Sequence, residues 1–245
     1  MSRSLVRLEH DGAVARIMLD RPERGNSFDR AAVLELRAAL AGLDESIELV
    51  VLRGAGGRAF CGGADAKEMV DLGPEDRRAA VGDFCDLAEE LWNLPALTVA
   101  VLDGYATGGG AHLAMACDLR IAAPGAWIQF GSARYGLAIT SVYLTVHAGP
   151  SVAASLLASA RRVGAEEGQS LGLFQALTEE DEPLAALGLA GGGSGRLAKA
   201  AVRAALPAGV AEALAVERAR AVAGAGLDAF VDSLRSEAST RARTP

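Results

Sequence analysis

The chain has 245 residues and a formal net charge of −7; 51% of its residues are hydrophobic and 22% charged. That balance suits one globular domain with a large core and excludes a disordered or fibrous chain. The acidic balance opposes a broad nucleic-acid footprint, which needs clustered Lys and Arg, and no apolar run reaches the roughly eighteen residues of a membrane span.

The opening "MSRSLVRLEHDG" turns charged early, so it reads as neither a signal peptide nor an anchor. "LVRLEH" and "AVARIMLD" flank Asp11-Gly12, a pair suited to a tight hairpin turn. After "RPERGN", Val33, Leu36, Leu40 and Leu43 recur at spacings of three and four, one apolar face of a helix. "ELVVLRGAG" and "LTVAVLDGYA" are compact apolar runs ending in glycine, as buried strands of a parallel sheet do. Between them "DFCDLAEELWNL" carries a helical stripe of Phe84, Leu87, Leu91 and Trp92, and "LRIAAP" adds a later strand. Strand, glycine loop and helix in repeated order predict an α/β fold with ligands at the carboxyl ends of the strands.

The character changes near residue 178. An acidic and then glycine-rich stretch predicts a flexible joint over 179–195, dividing a core at 1–178 from a helical region at 196–245. Amphipathic stretches are expected at 196–206 and 211–235, with "STRARTP" as a frayed tail. Cys61, Cys85 and Cys117 are odd in number and widely spaced, which fits reduced thiols in a cytoplasmic protein.

Two glycine-rich stretches follow predicted strands, "GRAFCGGADAKEM" and "GYATGGGAHLAM", and the second leads into a helix. Such loops present backbone N–H groups and let a ligand approach the main chain. Facing each other, they would supply one N–H apiece to a single oxygen, as an oxyanion hole does; plain helix–sheet packing is the alternative. There is no G-x-G-x-x-G opening a helix, no P-loop signature and no G-x-S-x-G elbow. The three histidines, His10, His112 and His147, have no paired spacing that suits a metal site.

"RPERGNSF", "AFCGGADAKEM", "GYATGGGAHLAMACDLRIAA" and "RRVGAEEGQSLGL" occur in an order that resembles the crotonase superfamily, the enoyl-CoA hydratase/isomerase family. The resemblance covers about residues 5–175. It implies a crotonase-like spiral of ββα turns with a helical C-terminal trimerisation region. It also implies an acyl-CoA substrate, no tightly bound cofactor beyond the coenzyme A of the substrate, and a homotrimer or homohexamer. On that pattern the N–H groups of Ala64 and Gly109 form the oxyanion hole. The main chain at Ala64, Asp65 and Ala66 holds the adenine, and Arg24 and Lys67 lie near the CoA phosphates or remain solvated surface charges.

The departures bear on the reaction. The two glutamates of family hydratases would fall at His112 and, in an ungapped reading, Ser132. Neither glutamate is there, so simple hydration is in doubt. His112 has a proton affinity suited to transfer and a place near the thioester α-carbon, against the alternative of a buried core histidine. Ser132 is expected to orient substrate or water. The loop "GLAITSVYLTVHAG" carries Thr140, Ser141 and Tyr143 where the family has glycines, and commonly faces the acyl group. Asp118, Cys61 and Cys117 read as structural. Isomerase, decarboxylase or hydrolase chemistry, a hydratase with substituted residues, and a non-catalytic acyl-CoA-binding subunit all stay open.

Overall fold

The computed structural model describes residues 4–241, apart from 138, 179–182, 190–193 and 225. Two strands, β1 (Val6–Asp11) and β2 (Val14–Leu19), form the expected hairpin, with Gly12 in the left-handed region at its turn. A 3-10 turn at Pro22–Arg24 leads into helix α1 (Arg30–Ala41), capped by the Asp29 side chain. Its buried stripe of Val33, Leu36 and Leu40 is the predicted face, and each such side chain contributes about 2 kcal/mol on burial. Leu43 lies beyond the helix end and is only partly buried.

The chain then winds through three similar turns. The first is β3 (Leu49–Gly54), β4 (Ala59–Cys61), α2 (Ala66–Asp71) and α3 (Pro74–Asn93). The second is β5 (Leu97–Leu102), β6 (Tyr105–Thr107) and α4 (Gly109–Ala116). The third is β7 (Leu119–Ala122), β8 (Trp127–Gln129), α5 (Ser141–Ala148) and α6 (Pro150–Ser159). Each turn gives one strand to each of two sheets, and the consecutive turns stack in parallel: β3–β5–β7 in one sheet, β4–β6–β8 in the other. This is the ββα spiral. The strands β9 (Arg162–Gly164) and β10 (Ala176–Leu177) finish the small and large sheets, on either side of α7 (Ala165–Ser170).

The runs "LVVLRG" and "LTVAVL" are buried on both faces because one face meets the main core and the other a second apolar cluster holding Val51, Val99 and Ile121. Helix α4 lies inside the main core, with every residue from Gly110 to Ala116 buried. Any polar side chain on it is therefore enclosed.

Of the expected joint at 179–195, residues 179–182 and 190–193 lie outside the described residues; the described part holds a 3-10 turn, Pro183–Leu187, and the first residues of the helix that begins at Ser194. The C-terminal region is helical: α8 (Ser194–Ala205), α9 (Val210–Ala223) and α10 (Leu227–Arg241). The expected single stretch at 211–235 is two helices, because the chain turns at Gly224 in the left-handed conformation. Asp118 is structural: it binds Lys199 at 2.8 Å and Arg203 at 2.7 Å, and accepts from the Thr98 N–H and hydroxyl, tying α8 to the sheet.

Candidate active site

The two glycine loops meet. Gly63 stands at φ +90°, and a Cβ there would lie 2.9 Å from both the Gly109 nitrogen and the Thr107 carbonyl oxygen. A glycine is required, for conformation and for space. The Thr107 hydroxyl donates to the Gly62 carbonyl at 3.0 Å, a second tie between the loops.

Around Ala64 the backbone is extended and bridges Phe28: Phe28 N–H donates to Gly63 O, and Asp65 N–H donates to Phe28 O, each at 2.7 Å. Backbone groups alternate sides in extended chain, so the Ala64 N–H faces away from Phe28. Across from it α4 begins: its first helical bond runs from His112 N–H to Gly108 O at 3.0 Å, leaving the earlier N–H groups outside the helical ladder. Among the described residues neither the Ala64 nor the Gly109 N–H has a hydrogen-bond partner. Both residues border one cavity of about 240 Å³.

The cavity wall is mainly apolar, with Phe28, Phe84, Met69, Leu137 and Ile139 on it. Its polar groups include the half-buried Ser132, close to Gly108 and without a side-chain partner among the described residues, and the carboxylates of Glu68 and Asp83. Asp83 is paired with Arg30 at 3.1 Å and lies 3.8 Å from Arg37. Glu68 has no ion pair among the described residues; both its oxygens accept the Arg30 N–H at 3.1 Å, and burial raises its proton affinity. Sequence reasoning passed over Glu68, although its place three residues after the cap Asp65 puts it in the first turn of a helix beside the glycine loop.

His112 is elsewhere than expected. It is 3% exposed, does not line the cavity, and lies behind Phe84 with ring centroids 5.6 Å apart. Its Nδ1 is 3.0 Å from the Thr140 hydroxyl, and burial pushes its pKa down to about 3. The enclosure of α4 keeps the imidazole neutral and a weak proton acceptor. Thr140, at φ +79°, is itself buried. Its N–H donates to Glu217 at 2.9 Å; the Ser141 hydroxyl and the Val142 N–H, the latter at 3.0 Å, donate to the same carboxylate. Tyr143 packs between Trp92 and His112 in the core, so of the expected acyl-facing loop it is Leu137 and Ile139, not Thr140, Ser141 or Tyr143, that reach the cavity.

Asp65 builds the turn: its side chain caps α2 and pairs with Arg21 at 3.1 Å, and its N–H is taken by Phe28. Ala64 and Ala66, on either side of Asp65, are both exposed. Arg24 and Lys67 are exposed, and neither side chain has a partner among the described residues. Within the "RPERGNSF" motif Asn26 is scaffold: buried, it accepts from Arg21 N–H and donates to the carbonyls of Ala55 and Ala59. Among the described residues no group of three or more His, Cys, Asp or Glu is placed to hold a metal, and no helix is long and apolar enough to cross a membrane.

A model of the enoyl-CoA hydratase/isomerase family matches residues 9–188. The chain is 32% identical over 186 residues to a crotonyl-CoA hydratase of Syntrophomonas wolfei, covering 72% of this chain and 70% of the relative. It is 31% identical over 191 residues to a short-chain-enoyl-CoA hydratase of Clostridium acetobutylicum, covering 74% and 72%. The crystal structure of an enoyl-CoA hydratase/isomerase from Xanthobacter autotrophicus Py2 superposes with a TM-score of 0.83 at 28% identity over 100% of both chains. The chain therefore belongs to the enoyl-CoA hydratase/isomerase family, the crotonase superfamily.

Proposed function

We propose that the protein binds an acyl-CoA thioester with its carbonyl oxygen between the Ala64 and Gly109 N–H groups, stabilises the enolate formed there, and moves a proton along the acyl chain. The observation that carries this reading is the pair of unpartnered amides on touching loops at the edge of one apolar cavity. In such a dry site each donor is worth about 3 kcal/mol of barrier, and the N-terminus of α4 adds positive potential.

Glu68 takes the proton from the α-carbon, because it is the cavity carboxylate without an ion pair among the described residues and burial raises its proton affinity. The electron pair moves to the carbonyl oxygen, held by the two amides; for a 3-enoyl chain the proton returns at the γ-carbon and the double bond ends conjugated to the thioester. The Ser132 hydroxyl orients the acyl group. His112, expected as the base, is assigned a positioning role through Thr140, since a buried imidazole of pKa about 3 accepts protons poorly. Decarboxylation fits less well, because the acidic and basic residues among the described wall residues are the three carboxylates of Asp29, Glu68 and Asp83 and one arginine already paired with Asp83.

Coenzyme A enters as part of the substrate, with Ala66 and the cations Arg24 and Lys67, unpaired among the described residues, on its nucleotide end. A homotrimer or homohexamer in the cytoplasm completes the reading. In support of assembly, α8 turns Lys199 and Arg203 inward and exposes Leu197 at 73% and Val202 at 62%. The hydratase names of the relatives favour a second reading, water addition with Glu68 in place of the missing glutamates.

Incubation with acyl-CoAs in deuterated water, read as mass gain at the α-carbon, tests the proposal. Exchange that is lost in Glu68→Gln and kept in His112→Ala supports it. Exchange lost in His112→Ala alone returns the base to His112, and ester binding without exchange points to a binding subunit or a hydrolase.

A further inference from the structure

Resting on the thioester reading above, we infer that the acyl group is neutral, apolar and longer than four carbons, and that Phe230 on the last helix sets its length. One part of the cavity wall belongs to a cluster of its own. Met69, Leu137 and Leu227 form a cluster separate from the main core, joined by Val81, Phe230 and Leu234. Three of these six come from α10, so the C-terminal helix closes the cavity of its own chain.

The wall is anchored on both flanks. The Tyr135 and Phe230 rings are 5.2 Å apart, Ser233 donates to the Tyr135 hydroxyl at 3.4 Å, and Arg77 lies 3.7 Å from Asp228. At about 240 Å³ the cavity exceeds the apolar void of about 150 Å³ that accommodates benzene. A four-carbon acyl group would leave much of this apolar volume unfilled, whereas about eight carbons, or an aryl group, would cover the α10 wall. Charge points the same way. Asp29, Glu68 and Asp83 line the cavity beside one arginine, Arg30, whose Nε is on Asp83, while Asp29 is paired with Arg21 off the wall, so a carboxylate on the acyl chain would meet the Glu68 carboxylate and no unpaired cation among the described wall residues.

Calorimetric titration of the full chain with CoA, butyryl-CoA, octanoyl-CoA and glutaryl-CoA tests this. Octanoyl-CoA is expected to bind at least about tenfold tighter than butyryl-CoA, since added methylenes are buried, and glutaryl-CoA no tighter than CoA. Phe230→Trp, which fills the end of the cavity, should weaken octanoyl-CoA about tenfold and leave butyryl-CoA within about twofold. Phe230→Ala should shift the preference to longer chains, with melting curves confirming that both variants fold. Equal binding of butyryl- and octanoyl-CoA, or a folded Phe230→Trp that discriminates as the parent does, overturns the inference while leaving the thioester reading standing. Binding of none of the esters overturns both.

Discussion

Gly63 and Gly109 pack backbone to backbone, close enough that a Cβ on Gly63 would lie 2.9 Å from the Gly109 nitrogen. Two loops from successive turns of the spiral are thus held at a fixed spacing at the border of the cavity, and among the described residues the N–H of Ala64 on one and of Gly109 on the other has no hydrogen-bond partner. Gly63→Ala would strain a φ of +90° and push the loops apart. A loss of about 100-fold or more in acyl-CoA turnover is expected, with the far-UV CD spectrum retained. At Gly109 an added Cβ would lie 3.1 Å from the Phe84 ring and 3.5 Å from the Gly63 Cα, the latter an ordinary contact, so Gly109→Ala should cost much less.

His112 makes a pH prediction of definite sign. Burial lowers its pKa from 6.5 to about 3, so below pH 6.5 the unfolded chain binds a proton that the folded chain refuses. The stability is therefore complete above pH 6.5 and falls as the pH drops toward 3, by up to about 1.4 kcal/mol per pH unit from this group. His112→Asn removes the titration. Urea midpoints measured from pH 7 to 4 should fall more steeply in the parent than in the variant, and parallel curves would contradict the burial.

Glu217 holds the start of α5 through the Thr140 and Val142 N–H groups and the Ser141 hydroxyl. Thr140 is β-branched at φ +79°, a conformation that costs of order 1–3 kcal/mol and persists only where neighbours enforce it. Glu217→Ala should lower unfolding free energy by about 2–4 kcal/mol, and Glu217→Gln by less, because one acceptor oxygen remains. Denaturant titration checks both, and an imidazole NMR shift of His112 in the Ala variant would show that Thr140 had moved.

Asp118 receives Lys199, whose side chain is 5% exposed, together with Arg203. Asp118→Ala would strand a buried cation, at a cost of about 3–5 kcal/mol. The variant should be cleaved by trypsin in α8 well before the parent; equal cleavage rates would show that the clasp is dispensable.

Much of the fold was legible because it rests on periodicity. Val33, Leu36 and Leu40 mark one helix face, the β-branched runs at 49–54 and 97–102 mark buried strands, and Gly12 marks a hairpin turn. The contact of the Gly63 loop with Gly109 was legible only through the order of the motifs, since nothing local brings 63 to 109. The placement of His112 was not legible: its position two residues past the glycines suggests a site group, but α4 is buried all round and Phe84, from another turn of the spiral, stands between. Glu217 and Phe230 were likewise hidden. Both act across more than seventy residues of sequence, and the break at Gly224 that aims α10 back at the cavity looks in sequence like one continuous amphipathic stretch.

Two backbone amides that hold a thioester carbonyl polarise it. The direct measurement is the C=O stretch of carbonyl-labelled octanoyl-CoA, free and bound, by isotope-edited infrared difference spectroscopy. Gly109→Pro serves as the control, since proline is tolerated in the first position of a helix and removes one N–H. A stretch lowered on binding to the parent and substantially restored in the variant is the predicted result. An unshifted stretch in a tightly bound ester would contradict it.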